Sequence, residues 1–299
     1  MTKTKNIILA AQKLIAGDLV AFPTETVYGL GADALNPLAV RQIFAKKGRP
    51  ADHPLIVHFK SIEDAKKWAH FGEPAFQLAR NFWPGPLTMV LQKRDIAPPE
   101  VTGGLKTIGV RVPEHPVAQE LLHEFGGPIA APSANRFGRI SPTTAEHVCD
   151  EFGESLLILD GGSCQVGIES TIVDLTDHPS MLRPGFITKQ QVEKIIGPIH
   201  ASSTTKAPGT LKAHYAPLTS LYLSETPHQD AKRFMAQGRK VEIMFAMPPQ
   251  EYAKKLYGEL RRLDSLGVDI LIAEKSADNS IGLAINDRLQ RASVGSQKK

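Results

Sequence analysis

The chain has 299 residues, of which 42% are hydrophobic and 22% charged, a composition typical of one large globular domain or two ordinary ones. No uninterrupted apolar run approaches the ~20 residues that a membrane helix needs, and two cysteines are too few for a disulfide framework, so we expect a cytoplasmic protein with no membrane partner. The net charge of +4 invites a nucleic-acid interpretation, but residues 1–217 hold 22 Lys and Arg against 21 Asp and Glu. Bulk charge therefore leaves small anions as the more plausible ligands.

The first predicted strand, residues 19–22, precedes a segment that is unusually rich in hydrogen-bonding groups. Pro23 ends the strand because proline donates no backbone hydrogen bond. Two hydroxyls, a carboxylate, a phenol and two glycines follow, in Thr24-Glu25-Thr26-Val27-Tyr28-Gly29-Leu30-Gly31. A bound ligand explains this density better than packing does. The glycines also fit a dinucleotide-binding fingerprint, but they lie too far from the strand, and we reject that interpretation.

The next helix, predicted for residues 36–47, ends in Lys46 and Lys47, which taken alone favour compensation of the helix dipole over ligand binding. His58 lies inside a predicted strand, residues 55–59, where a lone histidine is more often a core residue than a ligand. His53 precedes that strand in a polar turn and is equally well explained as a turn residue.

Arg111 lies in an otherwise apolar strand predicted for residues 107–113. A buried arginine needs a partner, and its planar fork suits a ligand carboxylate or phosphate. A structural pair with Glu25 or Glu169 is equally consistent with the sequence. The residues alone favour neither ligand binding nor a structural pair for Arg111.

A second strand, residues 128–131, is also followed by a proline and a polar loop, which contains Ser133 and Asn135. Two such loops at strand ends indicate one shared cleft. Ser141 is interpreted as a helix N-cap, with Thr143 and Glu146 as a capping box. Further along, the glycine-rich loop of residues 160–171 is expected to offer backbone N–H groups to an anion, and Arg183 lies at another strand end.

The pattern divides the chain into a first domain, residues 1–197, a linker of residues 198–217 that carries His214 and Tyr215, and a second domain, residues 218–299. In the second domain strands and helices alternate, which predicts a small three-layer α/β unit with a parallel sheet. It has no dense polar loop, so we interpret it as structural or regulatory.

No P-loop, HExxH or GxSxG pattern occurs, and no cysteines have metal-ligand spacing, so neither a covalent nucleophile nor a protein-held metal is expected. Small hydroxyls, glycines and isolated cations at strand ends are instead suited to holding anions. Phosphoryl and nucleotidyl transfer depend mainly on such positioning and charge stabilisation.

Several motifs in order along residues 20–185 resemble the YrdC/Sua5 family of threonylcarbamoyl-AMP synthases. They are the segments of residues 22–31, 47–49, 53–58, 83–88, 131–135 and 169–171. The linker segment 207–217 and the second domain resemble the longer Sua5 branch. The resemblance implies a twisted mixed α/β sheet with a concave cleft, followed by the smaller Rossmann-like α/β domain.

The activity implied by the resemblance is nucleotidyl transfer, in which L-threonine, bicarbonate and ATP with Mg²⁺ give threonylcarbamoyl-AMP and pyrophosphate for tRNA modification. Threonine would contact Thr26, His58, Arg111 and Thr171. ATP would contact Lys47, Arg49, His53, Thr107, Ser133, Asn135, Ser141, Arg183 and Tyr215, with Lys47 and Arg49 as the catalytic cations. The implied macromolecular partners are tRNA or the downstream threonylcarbamoyl-transferase complex.

Two other functions remain open at this stage. Related domains resemble double-stranded RNA or tRNA binders, whose affinity would fall steeply with salt. A carbamoyl-transfer domain of the hydrogenase-maturation type would need zinc-finger cysteines, and this chain has only Cys149 and Cys164.

Overall fold

The structure is a computed structural model that describes residues 3–200, 211–278 and 280–297. Over those residues the chain forms one ten-stranded mixed sheet and one three-stranded parallel sheet, each covered by helices. The predicted α/β class with a twisted mixed sheet and a second small α/β unit is confirmed. Within the described ranges, no helix is both long enough and apolar enough to span a membrane.

The large sheet contains ten strands in the spatial order β1-β8-β2-β3-β7-β4-β6-β5-β9-β10. Their bounds are β1 Lys3–Thr4, β2 Val20–Phe22, β3 Gly29–Asp33, β4 Ile56–His58, β5 Leu87–Gln92, β6 Thr107–Arg111, β7 Ile129–Ala130, β8 Leu157–Leu159, β9 Thr171–Asp174 and β10 Ser180–Arg183. Strand β3 lies between β2 and β7 and is antiparallel to both. The loops that leave β2 and β7 therefore emerge at the same edge, as the prediction of one shared cleft requires.

Eight α-helices and one short 3₁₀ helix, Gly153–Ser155, accompany this sheet in the described part of the chain. The α-helices are α1 Ile7–Ile15, α2 Pro37–Lys47, α3 Ile62–Ala65, α4 Glu73–Phe82, α5 Pro99–Thr102, α6 Pro116–Phe125, α7 Ala145–Phe152 and α8 Lys189–Ile196. Helices α1 and α6 form one apolar cluster with β2, and the other long helices belong to a larger cluster that includes β5 and β6. The sheet is thus buried between two helical layers.

The C-terminal unit has the parallel strand order β11-β13-β12. Its elements are β11 Ser220–Ser224, α9 Pro227–Met235, β12 Val241–Met244, α10 Pro249–Asp264, β13 Ile270–Glu274 and α11 Ser280–Ser296. Alternate residues of β13 pack in opposite directions, Ile270 and Ile272 with α9, Leu271 and Ala273 with α10 and α11. The three-layer arrangement predicted for residues 218–299 follows from this alternation.

Three local predictions were wrong. Gly29–Asp33 is a buried strand rather than an exposed loop, because Phe22 and Ile129 pack where a side chain on Gly31 would lie. The N-cap of α7 is Thr144, whose hydroxyl accepts a hydrogen bond from the backbone N–H of His147, so Ser141 does not cap that helix. The sequence of residues 61–69 also predicts a helix, but the helix formed there, α3, ends at Ala65.

Candidate active site

A cavity lies across one face of the large sheet, between the loops that follow β2 and β7. Ile56 and His58, alternate residues of β4, form part of its floor, and Gly29 and Ala131 form another part. Its described lining consists of Thr24, Thr26, Val27, Gly29, Arg49, Ile56, His58, Arg111, Ala131, Pro132, Ser133, Glu169, Ser170, Arg183, His214 and Tyr215. Three arginines and one carboxylate among these residues make the wall predominantly cationic.

Arg111 is held by three groups of the protein. Its Nη2 donates to Oε1 of Glu25 at 2.6 Å, its Nη1 donates to Oγ1 of Thr26 at 3.0 Å, and its Nε donates to the carbonyl of Gly85 at 3.3 Å. A guanidinium has five N–H donors, so these contacts leave donors for a ligand. The pair with Glu25, one of the alternatives left open by the sequence, is present, and Arg111 also lines the cavity.

His58 lies beside Arg111 because the parallel pairing of β4 and β6 places the two residues opposite each other. Burial, reinforced by the charge of Arg111, lowers the pKa of His58 to about 3. The imidazole is therefore neutral at pH 7, and its buried Nδ1 has no hydrogen-bond partner among the described residues. A neutral histidine with a bare ring nitrogen can donate to or accept from a ligand, depending on its tautomer.

Arg49 and Arg183 supply two further buried cations. Arg49 Nη2 donates to the carbonyl of Pro54 at 3.0 Å, and its Nε has no partner within the described part of the chain. Burial is the main reason that the pKa of Arg49 falls to about 10, which still leaves it charged at pH 7. Arg183 donates to both the carbonyl and the hydroxyl of Ser170, which fixes it against the segment that enters β9.

Lys47 was predicted to be a catalytic cation, and the structure places it behind the cavity wall. Its Nζ donates to the carbonyl oxygens of Ser133 and Asn135, both at 2.5 Å. The side chain is almost fully buried, and burial is the largest cause that lowers its pKa well below the usual value. Lys47 thus ties the end of α2 to the loop that carries Ser133.

Five other predicted ligand contacts are not among the described lining residues. Ser141 donates to Glu169 at 2.6 Å, and Thr171 donates to the carbonyl of Ile187 at 2.6 Å. Asn135 bonds two loop carbonyls through its amide nitrogen, while its buried Oδ1 has no described partner. The ring of His53 packs near Phe137, and Thr107 lies at the end of β6 opposite to Arg111.

The end of the predicted linker lies in the cavity wall; residues 201–210 of that linker are outside the described residues. His214 and Tyr215 line the cavity. Two backbone hydrogen bonds fix this segment: the N–H of His214 donates to the carbonyl of Arg291, and the N–H of Ala216 donates to the carbonyl of Gly138. Tyr215 has a left-handed φ of 62°, unusual for a tyrosine. His214 Nδ1 and the Tyr215 hydroxyl are buried with no partner among the described residues.

Glu169 is the one carboxylate in the described lining, and two residues of the C-terminal unit hold it. Its Oε2 accepts hydrogen bonds from the Tyr257 hydroxyl at 2.8 Å and from Arg288 Nε at 2.9 Å, and its Oε1 accepts from Ser141. Burial alone would raise the pKa of Glu169, but the charges of Arg288 and Arg183 and these hydrogen bonds outweigh it, and the pKa falls to about 2. Glu169 is therefore ionised at neutral pH.

Tyr257 and Arg288 were not predicted to belong to this site. The signal that was available is helical spacing, because Arg288 lies four residues after Ala284 and four before Ala292 and so shares the apolar face of its helix. The expectation that the glycine-rich loop offers its backbone to an anion is not supported, because only Glu169 and Ser170 of that loop line the cavity. Gly167 instead has a φ of +82°, and a side chain there would lie 2.4 Å from the carbonyl oxygen of Ala253 in α10.

Two family models match the chain. The Sua5–YciO–YrdC model, described as "Telomere recombination", matches residues 12–185, and the model described as "Threonylcarbamoyl-AMP synthase, C-terminal domain" matches residues 187–294. Together they cover nearly the whole chain. The boundary between them falls in the loop before α8, slightly ahead of the predicted boundary at residue 197.

Relatives and a solved structure give the same result. The chain is 42% identical to a threonylcarbamoyl-AMP synthase of Pyrococcus abyssi, covering 96% of this chain and 94% of the relative, and 41% identical to one of Bacillus subtilis, covering 98% and 94%. Its fold matches the crystal structure of P. abyssi Sua5 complexed with L-threonine, with a TM-score of 0.91 at 39% identity, over 99% of this chain and 97% of that one.

Proposed function

Since this chain belongs to the Sua5 family of threonylcarbamoyl-AMP synthases, we propose that its cavity joins L-threonine, bicarbonate and ATP into threonylcarbamoyl-AMP and pyrophosphate. The reaction is a nucleotidyl transfer, because AMP passes from pyrophosphate to a carbamate oxygen. One observation carries the proposal: buried polar atoms of Arg49, His58, His214 and Tyr215 lack partners among the described residues, and all four residues line one cationic cavity. Such atoms are costly unless a ligand satisfies them.

In this scheme threonine occupies the end of the cavity at Arg111. The carboxylate binds the remaining donors of Arg111, and Thr26, which already contacts that guanidinium, and His58 lie close enough to bind the amine and hydroxyl. Thr171, which begins β9, supports this end through its bond to the carbonyl of Ile187. A solved Sua5 of P. abyssi complexed with L-threonine supports threonine as the substrate.

ATP occupies the other end of the cavity, towards Arg49, Arg183 and Tyr215. The threonine amine attacks the carbon of bicarbonate and water leaves, which gives a carbamate. A carbamate oxygen then attacks the α-phosphorus of ATP, and the bond to the β-phosphate oxygen breaks to release pyrophosphate. Both reactants are anionic, so the buried cations lower the repulsion between them.

The predicted Mg²⁺ fits this site best when the phosphates of ATP carry it. Among the described residues no group of three or more His, Cys, Asp or Glu side chains could hold a metal ion. Glu169, the carboxylate among the described residues that line the cavity, already accepts hydrogen bonds from three side chains. When bound, the metal would neutralise charge on the departing pyrophosphate.

The product is a reactive mixed anhydride, so a partner must accept its threonylcarbamoyl group. We propose that tRNA or a downstream threonylcarbamoyl-transferase complex is this partner, in a cytoplasmic compartment where Cys149 and Cys164 stay reduced, as both are free in the structure.

Pyrophosphate release tests the proposed reaction directly. The full-length protein should release pyrophosphate from ATP with MgCl₂ only when threonine and bicarbonate are both present, and EDTA should stop it. Release that is independent of both co-substrates would overturn the proposal. The RNA-binding alternative is less well supported, because Arg49, Arg111 and Arg183 lie buried around one cavity, whereas a duplex backbone binds cations on an exposed surface.

A further inference from the structure

We infer that Arg288, from the C-terminal unit, is a positioning residue that cancels the charge of Glu169 and so keeps the nucleotide end of the cavity attractive to anions. The inference rests on the proposed function, since ATP is taken as the anion. It assigns the C-terminal unit a direct electrostatic role in the active site, although this unit contributes no described residue to the cavity lining.

The contact between Arg288 and Glu169 is buried and specific. The two side chains are 1% and 8% exposed, and Arg288 reaches both the carboxylate, through Nε at 2.9 Å, and the backbone carbonyl of Glu169, through Nη2 at 3.4 Å. The guanidinium also lies 5.6 Å from the centre of the Tyr215 ring, in a cation–π arrangement. Arg288 therefore contacts two residues that line the cavity while remaining outside it.

The charge of Arg288 is available to Glu169 although a second carboxylate is near. Arg288 Nη1 donates to Asp287 at 2.9 Å, but Asp287 also accepts three hydrogen bonds from Arg291, one helical turn further along. Arg291 thus balances Asp287, and Arg288 balances Glu169. Glu169, the carboxylate in the described lining of the cavity, therefore forms a neutral pair with Arg288.

Two residues of α10, Tyr257 and Arg261, hold this helix in the position that this role requires, and α11 packs on α10 in the same apolar cluster. Tyr215 stacks on Tyr257 with ring centres 5.7 Å apart, and Tyr257 donates to the same carboxylate. Arg261 of α10 pairs with Glu151 at 2.8 Å and also donates to the carbonyl of Ile140. The helices are therefore fixed on the back of the cavity by apolar and polar contacts together.

Without Arg288 the carboxylate of Glu169 would lose its salt-bridge partner and face the proposed ATP site with only the hydrogen bonds of Ser141 and Tyr257 and the charge of Arg183 to stabilise it. In a buried site a charge is screened little, so Glu169 would repel the phosphates. If Arg288 were only packing material, neutralising Glu169 would not restore ATP affinity in its absence. If Arg288 acts by charge, the neutral amide should restore it.

The test is a double-mutant cycle in the full-length protein, with ATP binding in MgCl₂ measured by titration calorimetry. Arg288→Met should weaken ATP binding at least about tenfold, since close buried charge pairs show large coupling energies. Adding Glu169→Gln to Arg288→Met should recover most of this loss, and Arg288→Lys, which keeps the charge, should bind more tightly than Arg288→Met. The matched control is Arg262→Met, an exposed arginine of α10 paired with Glu259, which should bind ATP like the wild type.

Wild-type affinity in Arg288→Met, or a double variant that binds ATP no better than Arg288→Met, would overturn the inference. If Arg288→Met does not fold, the double variant still decides, because it has lost both buried charges and a neutral replacement of a buried pair is tolerated. ATP binding at least about tenfold weaker than wild type in the folded double variant would then count against the charge role. A wild-type protein that binds ATP but makes no threonine-dependent pyrophosphate would contradict the proposed function and leave this inference standing.

Discussion

Arg111 and Glu25 form a salt bridge of 2.6 Å whose side chains are only 4% and 3% exposed. The bridge joins the end of β6 to the loop after β2, and the second oxygen of Glu25 accepts a hydrogen bond from the backbone of Glu114 at 3.1 Å. The residue proposed to bind the threonine carboxylate is thus oriented by a carboxylate of the protein. Its removal should affect both folding and binding.

Arg111→Ala should lower the free energy of unfolding by about 3–5 kcal/mol, because Glu25 would be left buried without a countercharge. At a temperature where the variant is still folded, threonine binding should fall much more than ATP binding. Denaturant unfolding and calorimetric titration of each substrate measure the two effects separately.

The variant Arg111→Ala with Glu25→Gln separates the structural role of Arg111 from its ligand role. We expect the added substitution to recover a large part of the lost stability and none of the threonine affinity. Recovery of threonine affinity in the double variant would show that Arg111 does not read the carboxylate.

The elements that the sequence predicted well are those with local signals. Helices α4 and α6 have the bounds that the sequence predicts, residues 73–82 and 116–125. A proline occupies one of the first two positions of each, and Gly126 ends α6 in the left-handed region. Strand β3 was missed because Gly29 and Gly31 give it no alternating pattern. Its place in the sheet depends on Phe22 and Ile129, which fill the space beside its glycines.

Prediction of the site was limited in the same way, because many of its contacts join residues that are far apart in the sequence. The residue types expected to hold anions were identified, and seven of them line one cavity, namely Thr26, Arg49, His58, Arg111, Ser133, Arg183 and Tyr215. Which cation is paired with which carboxylate was not predictable. Glu169 and Arg288 are 119 positions apart, and only the docking of α11 on the first domain brings them together.

Lys47→Met should lower stability in addition to any effect on ATP. Lys47 Nζ donates to the carbonyls of Ser133 and Asn135, and methionine keeps the side-chain volume but donates nothing. The buried carbonyl of Asn135 would then lose this hydrogen bond, and that of Ser133 would keep only the backbone N–H of Asn135 as a donor. We expect a loss of about 1–3 kcal/mol, which is the cost of one buried carbonyl left without its donor. Lys46→Met, at a half-buried neighbour on α2 whose Nζ donates to the hydroxyl of Ser155, is the control for chemical denaturation and should lose less stability. Unchanged stability in Lys47→Met would favour a purely catalytic role.

Stability should fall as the pH is lowered from 7 to 5. Burial lowers the pKa values of His58 and His214 to about 3, whereas in the unfolded chain both residues titrate near 6.5. Below pH 6.5 the unfolded chain therefore binds protons that the folded chain does not, and stability is lost until the pH reaches about 3. Each histidine contributes about 1.4 kcal/mol per pH unit well below 6.5, or about 4 kcal/mol for both between pH 7 and 5.

Denaturant unfolding at pH 7, 6 and 5 checks this slope. His58→Gln should remove roughly half of the contribution of the two buried residues, since one of them no longer titrates. His70→Gln alters an exposed histidine outside the cavity and should keep the wild-type slope. A slope that His58→Gln leaves unchanged would mean that His58 is not neutral and buried in the folded protein.

Tyr215→Phe should weaken ATP binding without lowering stability. The hydroxyl is buried beside the cavity with no partner among the described residues, so in the free protein it contributes no hydrogen bond, and its removal should leave stability unchanged or raise it slightly. The phenylalanine ring retains the stack on Tyr257 and the position near Arg288.

With ATP bound, the hydroxyl of Tyr215 gains a partner. The loss of a hydrogen bond to a charged phosphate corresponds to about 1.5–3 kcal/mol, or roughly a tenfold to hundredfold weaker affinity for ATP. Thermal unfolding with and without ATP measures both quantities in one experiment: the free proteins should unfold at similar temperatures, and ATP should raise the unfolding temperature of the wild type more than that of the variant. Equal stabilisation of both by ATP would mean that the hydroxyl does not contact the nucleotide and that residues 214–215 serve only to close the cavity wall.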